Sequence, residues 1–351
     1  MGVKISNLVE PVKVEITTKN LIGKIIAIDA FNSIYQFLAT IRQQDGTPLQ
    51  DYAGNVTSHL KGLFYRTINL IEEDIKPLYI FDGPPHELKL KTIQERKIVK
   101  EEHKKEMEEA QDAEEFAEAK KHAQATSKLT SEMIEESKLL LDYLGVPWIE
   151  AAHDGEAEAA RLIKENVAWA SASQDYDSML FGAEKLIRNL TINRKRKVGT
   201  ITTEINLEYY SLNKILEYLN INHDQLIDLG ILIGVDFFEG ITGIGEKTAL
   251  KLIKEYGTIE NIIKNEVKVK GNPIYIDPEL LEKIRSIFKN IEKPKIDKKI
   301  KWTAPNEEKI KELLVEKHNF SPNLLESGIQ KLKEKKESKM QISLDKFFKK
   351  S

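Results

Sequence analysis

The sequence predicts an α/β fold with a mostly parallel central sheet flanked by helices. Three short β-rich runs each end in an aspartate: KIIAID (24–29), KPLYIFD (76–82) and VAWASASQD (167–175). Helical segments lie between them. One has an apolar stripe at Ile34, Phe37, Leu38 and Ile41. Another, SEMIEESKLLLDYLG, ends at a helix-stopping Gly145. Strands that alternate with helices are typical of a parallel sheet whose faces are covered by helices.

The composition is that of a globular chain. Its 351 residues carry a net charge of −3, contain no cysteine and include no apolar stretch long enough to span a membrane. Disulfides and thiolate zinc sites are excluded, and without a secretory signal we expect an intracellular, cytoplasmic protein. The small net charge conceals two basic segments. RNLTINRKRK (188–197) holds five basic residues and no acid, and residues 331–351 hold eight lysines against three acids.

Residues 86–130 differ from the flanking sequence. The segment is charged, rich in alanine and poor in apolar residues, with many opposite charges four residues apart. From the residues alone two interpretations stay open: a solvated helical excursion, or a mobile helical lid over a site. Beyond residue 210 the sequence predicts mostly helix, and KEKKESKMQISLDKFFKKS at the end resembles a tail.

Acidic residues occur where the predicted strands end. Asp29, Asp82 and Asp175 close the three runs, and Asp177 follows directly. A single aspartate at such a place commonly caps a helix or turn. Three strands that end this way indicate a shared site, because ligands bind beyond the carboxyl ends of parallel strands. In an extended strand, side chains two apart leave the same face, so we expect the carboxylates of Asp175 and Asp177 to point together.

The helix start DGEAEAA (154–160) adds further acids. Asp154 is the natural N-cap, and the helix dipole favours Glu156 and Glu158 in the first turn. Residues two apart on a helix do not face each other. The spacing therefore supports one of the two glutamates as a ligand, not both.

Several convergent carboxylates need cations between them, because like charges raise one another's pKa. Clusters of oxygen ligands suit Mg²⁺ or Mn²⁺. Two such ions, about 3.5–4 Å apart, activate a water and stabilise the leaving oxygen in phosphodiester cleavage. The acids thus predict a two-metal phosphodiesterase.

The stretch GIGEKTA (243–249) lies between apolar helical segments and predicts a helix-hairpin-helix element at about 228–256. Gly243 and Gly245 let the backbone approach a phosphate at the N-terminus of the next helix. Lys247, Lys251 and Lys254 follow on that helix as phosphate partners. A tight turn between helices with solvated lysines is the alternative.

Near the C-terminus four residues are spaced as Q-x-x-L-x-x-F-F: Gln341, Leu344, Phe347 and Phe348. Adjacent phenylalanines on a basic tail have no core to join. We therefore expect the tail to dock as a peptide on a partner. A chance amphipathic tail is the alternative.

Taken together, these segments resemble the XPG-type structure-specific 5′ nucleases, and in particular the archaeal flap endonucleases. The resemblance runs in order along nearly the whole chain, through MGVKISNL, IDAFNSIYQF, GLFYRT, YIFDG, GEAEAARL, SQDYDSMLFG, LIGVDFFEGITGIGEKTA and KWTAPNEE. It implies a PIN-like 5′ nuclease fold. Residues 86–130 would form a helical arch for a 5′ single strand, and residues 341–348 would bind the sliding clamp, PCNA.

The resemblance also implies roles for individual residues. Seven acids occupy the family's positions for two Mg²⁺, for which Mn²⁺ can substitute: Asp29, Asp82, Glu156, Glu158, Asp175, Asp177 and Asp236. Lys89 and Arg96 match the basic pair that orients and stabilises the scissile phosphate. Tyr35 matches the tyrosine on which a base stacks. Arg42 and Arg66 match arginines that contact the duplex, and a monovalent cation at the hairpin is a further expectation.

The chain departs from the family pattern in its loops and at its end. Family members commonly carry an extra residue, often lysine, between FDG and the Pro-Pro pair, whereas here Gly83 precedes Pro84 directly. Phe237 stands where tyrosine is usual. The sequence stops just past the clamp motif, without the basic nuclear-targeting extension of eukaryotic members, and this favours an archaeal, cytoplasmic protein.

We therefore expect a Mg²⁺-dependent 5′ flap endonuclease and 5′–3′ exonuclease of DNA replication and repair that leaves a 5′-phosphate. It would bind branched DNA and act as a monomer apart from the clamp. The expected organisation is one composite nuclease unit of residues 1–130 and 131–325, followed by a tail of residues 326–351. Two alternatives remain. One is an aspartyl-phosphate phosphatase, but Ala30 and Phe31 after Asp29 do not match the motif of that class. The other is a DNA-binding scaffold whose acids only cap helices.

Overall fold

A mixed seven-stranded sheet lies at the centre of the described chain. Its strands and those of two small hairpins are, in chain order, β1 (Val14–Ile16), β2 (Ile25–Asp29), β3 (Lys76–Phe81), β4 (Trp148–Glu150), β5 (Ala170–Ala172), β6 (Lys185–Arg188), β7 (Lys195–Val198), β8 (Ile201–Glu204), β9 (Leu207–Ser211), β10 (Lys268–Val269) and β11 (Asn272–Pro273). The sheet order is β1-β9-β6-β5-β2-β3-β4. Strands β6, β5, β2, β3 and β4 run parallel, and only β9 and β1 add antiparallel pairings at one edge.

The structure is a computed structural model that describes residues 2–43, 45–90, 129–191, 205–294, 299–323 and 325–334, together with the backbone of β7 and β8. The helices with assigned bounds are α1 (Ser6–Val9), α2 (Ala30–Thr40), α3 (Ser58–Glu72), α4 (Ser131–Leu144), α5 (Gly155–Lys164), α6 (Asp177–Leu180), α7 (Leu212–Leu219), α8 (His223–Ile233), α9 (Glu246–Tyr256), α10 (Ile259–Lys264), α11 (Pro278–Lys289) and α12 (Glu307–Lys311). A π-helical turn, Glu312–Lys317, continues α12. The predicted α/β fold with a mostly parallel sheet is confirmed.

Successive side chains of the central strands point to opposite faces of the sheet, and both faces are apolar. Ile26 and Ile28 of β2 join one buried cluster, whereas Ala27 between them joins the other. In β3, Tyr79 and Ile80 divide between the two clusters in the same way. Side chains two apart share a face of a strand, and a parallel sheet covered on both faces needs apolar residues at every position.

Each core draws on distant parts of the sequence. One face is covered by α2, α3 and α4, whose buried residues pack with those of residues 310–332. The other face is covered by α5 to α11 together with the N-terminal Val3 and Ile5. Helix α4 has the predicted bounds and stops at Gly145, whose φ of 70° is the left-handed cap that glycine favours. The boundary at residue 130 stays a prediction, and both cores draw on residues from each side of it.

The predicted tail begins too early and is corrected at its N-terminal end. Residues 325–334 are helical, and Leu325, Ile329 and Leu332 are buried in the core. Their spacing of four and three residues places them on one helix face. Gly328 allows this helix to approach α3, since a Cβ there would lie 2.8 Å from a ring atom of Phe64. Residues 335–351 lie outside the described chain.

A buried ion-pair network joins the C-terminal part of the chain to the rest. The Nδ1 of His318 lies 2.9 Å from a carboxylate oxygen of Asp51, and its Nε2 lies 2.8 Å from Glu136 of α4. Lys317 donates to the same Glu136 at 2.6 Å. Because both ring nitrogens face carboxylates, the network favours a protonated imidazole.

Replacing His318 by glutamine should destabilise the protein more at pH 6 than at pH 9. Burial acts to lower the pKa of His318, but hydrogen bonds to Glu136 and Asp51 raise it above its usual value. A histidine with a raised folded-state pKa contributes its stability fully below about pH 6.5 and loses it as the pH rises through the folded pKa. Urea unfolding at the two pH values measures the difference.

The matched control is His223→Gln on α8. The His223 ring lies 3.0 Å from the carbonyl oxygen of Met179 and makes no described pair with a carboxylate. Its replacement removes a hydrogen bond to a carbonyl oxygen and no ion pair, so it controls for the loss of a histidine side chain at each pH. If His318→Gln gave equal losses at pH 6 and pH 9, the charge of His318 would contribute nothing to the network.

Candidate active site

The parallel strands β2, β3 and β5 present their carboxyl ends at one edge of the sheet. Asp29 is the last residue of β2, and Asp82 follows β3 directly. Asp175 and Asp177 come shortly after β5, which is hydrogen-bonded to β2. The order of the parallel strands therefore explains why the aspartates at the strand ends lie at one edge of the sheet, as predicted.

The prediction that Asp175 and Asp177 lie in an extended strand is wrong. Strand β5 ends at Ala172, and the hydroxyl of Ser173 accepts a hydrogen bond from the Asp175 amide at 3.1 Å, which turns the chain. Asp177 is the first residue of α6. The carboxylate of Asp175 still affects Asp177, because it adds to the effect of burial in raising the pKa of Asp177. They come together through a turn, not through the pleat of a strand.

Asn32 links two of the strand-end acids, although no pattern in the sequence marks it. Its backbone amide donates to Asp29 at 2.9 Å, so Asp29 is also the N-cap of α2. Its side-chain amide donates to Asp175 at 3.3 Å. Asp29 thus serves both as the helix cap and as a member of the acid group.

The N-terminal segment also contributes to the site, which sequence analysis did not predict. The amide of Val3 donates to Asp177 at 2.6 Å. Gly2 packs so closely on Asp175 that a Cβ at Gly2 would lie 2.5 Å from the Cβ of Asp175. Only a residue without a side chain fits there.

Glycines bring two loops up to the remaining acids. The amide of Gly155 donates to Asp82 at 2.8 Å, and a Cβ at Gly155 would lie 2.8 Å from the same oxygen. Asp236 lies in the loop after α8. Gly234 and Gly240 flank this loop with φ of 118° and 85°, in the region that glycine favours. This tight loop turns Asp236 back toward the strand-end acids.

The two glutamates of α5 have different surroundings. Glu156 is buried, and its Oε1 has no hydrogen-bond partner within the described structure. Glu158 makes a two-point ion pair with Arg161, at 2.8 and 2.6 Å. The geometry agrees with the inference that residues two apart on a helix do not face the same point. The assignment of Glu158 as a ligand stays a prediction.

Burial and mutual repulsion leave these acids strongly perturbed. Burial, with a contribution from Asp82, raises the pKa of Asp29 to about 8. Burial likewise raises the pKa of Asp177 to about 7 and that of Asp82 to about 6. It raises the pKa of Glu156 well above its usual value, and Asp177 and Asp29 add to the effect. Titratable groups with such shifts in one place are typical of functional sites.

Lys89 supplies positive charge at this edge. Its Nζ lies 2.8 Å from Asp154 and 3.3 Å from Asp236. Burial acts to lower the pKa of Lys89, but Asp154, Asp82 and Asp236 raise it above the usual value. Burial acts to raise the pKa of Asp236, yet the ion pair with Lys89 lowers it. Asp154 was predicted only as an N-cap, and its contact with Lys89 was missed.

The donor set fits a divalent cation that binds oxygen ligands. An unpartnered buried carboxylate oxygen on Glu156 and three aspartates with raised pKa values are groups that such an ion would neutralise. As the side chains stand, no three histidine or acidic residues of the described chain are arranged around one metal position. The assignment of individual ligands therefore stays a prediction.

The hairpin between α8 and α9 has the predicted form. Gly243 has a φ of 88°, and Gly245 is the N-cap of α9; apart from its neighbours in the chain, no described atom lies within 4 Å of where its Cβ would be. Lys247 and Lys251 are exposed on α9. The bare backbone and adjacent lysines form a surface that can accept a phosphate. No bound ion is described, so the expected monovalent cation stays a prediction.

The other predicted contact residues differ in their exposure. Tyr35 is 48% exposed on α2, away from the buried stripe. Arg42 binds the carbonyl oxygens of Ala39 and Gly46 and so closes its own loop. Arg66 is partly buried on α3. Arg96, residues 91–128 of the predicted arch and the motif residues Gln341, Leu344, Phe347 and Phe348 lie outside the described residues. None of the helices in the described ranges combines the length and the apolar composition that a membrane span requires.

Comparison with known proteins gives matches along the whole chain. The family described as the XPG N-terminal domain matches residues 1–103, and the XPG I-region matches residues 145–236. A flap endonuclease 1 of Sulfolobus acidocaldarius is 47% identical, over 98% of this chain and 99% of that protein. A flap endonuclease 1 of Methanobrevibacter smithii is 45% identical, over 99% of this chain and all of that protein.

Solved structures of flap endonucleases and related nucleases are also similar to this chain. The structure of flap endonuclease-1 from Methanococcus jannaschii has a TM-score of 0.72 at 35% identity and covers 93% of this chain and 97% of that one. The catalytic core of Rad2, solved with a DNA substrate, has a TM-score of 0.73 at 22% identity, which shows a shared fold. With relatives above 45% identity over nearly its full length, the chain belongs to the XPG-type flap endonuclease family.

Proposed function

We propose that this chain is a divalent-metal-dependent, structure-specific DNA nuclease that hydrolyses a phosphodiester near the base of a 5′ flap and leaves a 5′-phosphate. The observation that carries the proposal is the group of acids at the carboxyl edge of the sheet, with raised pKa values and a lysine beside them. Family membership supports the substrate class. Exonuclease activity from a 5′ end would use the same site.

The residues proposed to hold two Mg²⁺ or Mn²⁺ ions are Asp29, Asp82, Glu156, Glu158, Asp175, Asp177 and Asp236. The bound ions would supply an activated water and stabilise the leaving oxygen. Asn32, the Val3 amide and the Gly155 amide orient the carboxylates by hydrogen bonds. Such donors limit the rearrangement that ligation requires.

Lys89 would act on the scissile phosphate. Its ammonium group lies beside Asp236, so a phosphate held at the acids would be within the range of its charge. A cation at this place offsets charge that develops in the transition state. Arg96, by family resemblance, would be its partner.

DNA would be held at surfaces outside the acid group. The hairpin at Gly243 and Gly245, with Lys247 and Lys251, would bind the duplex backbone, and Tyr35 would stack on a base at the flap junction. Arg42 and Arg66 would contact the duplex. Branched DNA is thus the proposed substrate, and the proposed cellular role is flap removal in replication and repair.

Replacing Asp177 by asparagine should lower flap cleavage at least about a hundredfold while leaving flap binding intact. Asparagine keeps an acceptor for the Val3 amide but removes the negative charge. Labelled 5′-flap, plain duplex and single-stranded DNA would each be tested with Mg²⁺ and with EDTA. Wild-type protein should cut at the flap junction, with Mg²⁺ only.

Asp224→Asn is the control, because Asp224 is an exposed acid on α8 that pairs with Lys289. It should cleave at the wild-type rate. Cleavage that survives in Asp177→Asn would remove Asp177 from the site. If wild-type protein bound the flap without cutting it, the scaffold alternative would replace the nuclease.

Replacing Lys247 by glutamate should weaken duplex binding and flatten its salt dependence. Each phosphate contact that is lost lowers the slope of log K against log salt by about one. Fluorescence anisotropy over a series of salt concentrations measures the slope. Lys214→Glu on α7 makes the same change in net charge at a lysine that pairs with Glu217, and it should leave the slope unchanged. Equal slopes for wild type and Lys247→Glu would argue against a phosphate contact at the hairpin.

We also propose that Gln341, Leu344, Phe347 and Phe348 dock on the sliding clamp. Removing residues 341–351 should abolish stimulation of cleavage by the clamp and leave basal cleavage unchanged, because the acids and the hairpin are untouched. Phe347→Ala with Phe348→Ala should reproduce this result in a chain of full length. Steady-state cleavage with and without the clamp measures it, and a loss of basal activity would contradict the assignment.

A further inference from the structure

Two loops dock on each other next to the acid group. The amide of Gly83 donates to the carbonyl of His153 at 2.8 Å, and Nδ1 of His153 lies 2.7 Å from the carbonyl of Pro84. A Cβ at Gly83 would lie 2.2 Å from the carbonyl oxygen of Ala151, so the approach needs glycine. The segment that leads to Lys89 is therefore held against the segment that carries Asp154.

Asp154 makes a contact with each of its carboxylate oxygens. One oxygen accepts from the amide of Glu156 at 3.1 Å and so caps α5. The other accepts from Nζ of Lys89 at 2.8 Å. The two side chains are largely shielded, with 14% of Asp154 and 19% of Lys89 exposed. One carboxylate thus joins the start of the helix that carries Glu156 to the amine of Lys89.

Asp154 differs from the other acids around Lys89. Asp82 and Asp236 belong to the proposed metal-ligand set, so their charge is shared with that site. Asp154 is not among the seven predicted ligands, and the helix cap fixes its orientation. A lysine side chain is long and flexible, and a partner held in place reduces the conformations open to its amine.

We propose that Asp154 is a positioning residue that holds the ammonium group of Lys89 at the reaction centre. The inference rests on the proposed function, in which Lys89 acts on the scissile phosphate. Asp154 acts through Lys89 and does not touch the substrate. Two other roles are open to it: a helix cap alone, and an additional metal ligand.

Asp154→Asn separates these roles. Asparagine is as good an N-cap as aspartate. Its single carbonyl oxygen would accept the hydrogen bond of the helix cap. Its amide nitrogen, which cannot accept a hydrogen bond, would then face Nζ of Lys89. Under single-turnover conditions with a 5′-flap substrate and Mg²⁺, the cleavage rate should fall about tenfold to a hundredfold. The melting temperature should not change, and flap affinity should be equal or tighter, because a negative charge near the DNA is removed.

A double-mutant cycle shows whether the effect passes through Lys89. In a Lys89→Ala background, Asp154→Asn should change the rate by less than about twofold, since the residue it positions is gone. Asp277→Asn is the matched control. Asp277 caps α11 with the same chemistry, at an exposed position outside the site, and this variant should cleave at the wild-type rate.

Three results would overturn the inference. A wild-type rate for Asp154→Asn would leave Asp154 as a cap only. An undiminished loss in the Lys89→Ala background would show that Asp154 does not act through Lys89. A loss that is recovered at higher Mg²⁺ concentration would make Asp154 a metal ligand. Failure of the wild-type protein to cut the flap is a separate result, and it would overturn the proposed function itself.

Discussion

Repulsion among carboxylates at one edge of the sheet is the constraint on which the rest of the site depends. Burial disfavours the charged state of these acids most strongly and neighbouring carboxylates add to the effect, as the raised pKa values of Asp29, Asp82 and Asp177 express. Backbone amides of Val3 and Gly155 and the side chain of Asn32 provide hydrogen bonds to these groups. In the proposed function, divalent cations would neutralise the negative charge that these neutral donors leave on the carboxylates.

Two carboxylates at this edge of the sheet also shape the fold. Asp29 caps α2 and Asp154 caps α5, so the positive ends of two helix dipoles point at the acid group. Asp29 and Asp154 therefore each cap a helix and also lie in or beside the acid group. A substitution at such a place changes both the helix start and the charge of the site, and only replacements that keep the acceptor, such as asparagine, separate the two effects.

The site forms only when distant segments pack together. Val3 and Asp177 are 174 positions apart and share a hydrogen bond, and Asp236 reaches the group from the loop after α8. Both apolar cores likewise combine early and late parts of the chain, and His318 ties the C-terminal helices to Asp51 and Glu136. The acid group and both cores therefore draw on residues from distant regions of the chain, and the acids do not belong to one continuous segment.

Local patterns in the sequence were enough to predict the parallel sheet, helix α4 with its stop at Gly145, the strand-end positions of Asp29 and Asp82, and the hairpin before α9. These features depend on backbone preference, strand and helix periodicity and capping, which neighbouring residues determine. Tertiary structure alone decided that Glu158 pairs with Arg161, that the Val3 amide meets Asp177, that Asp154 holds Lys89, and that Asp175 and Asp177 meet through a turn. Those partners come from packing between segments far apart in the chain, and no spacing along the sequence encodes which side chains such packing brings together.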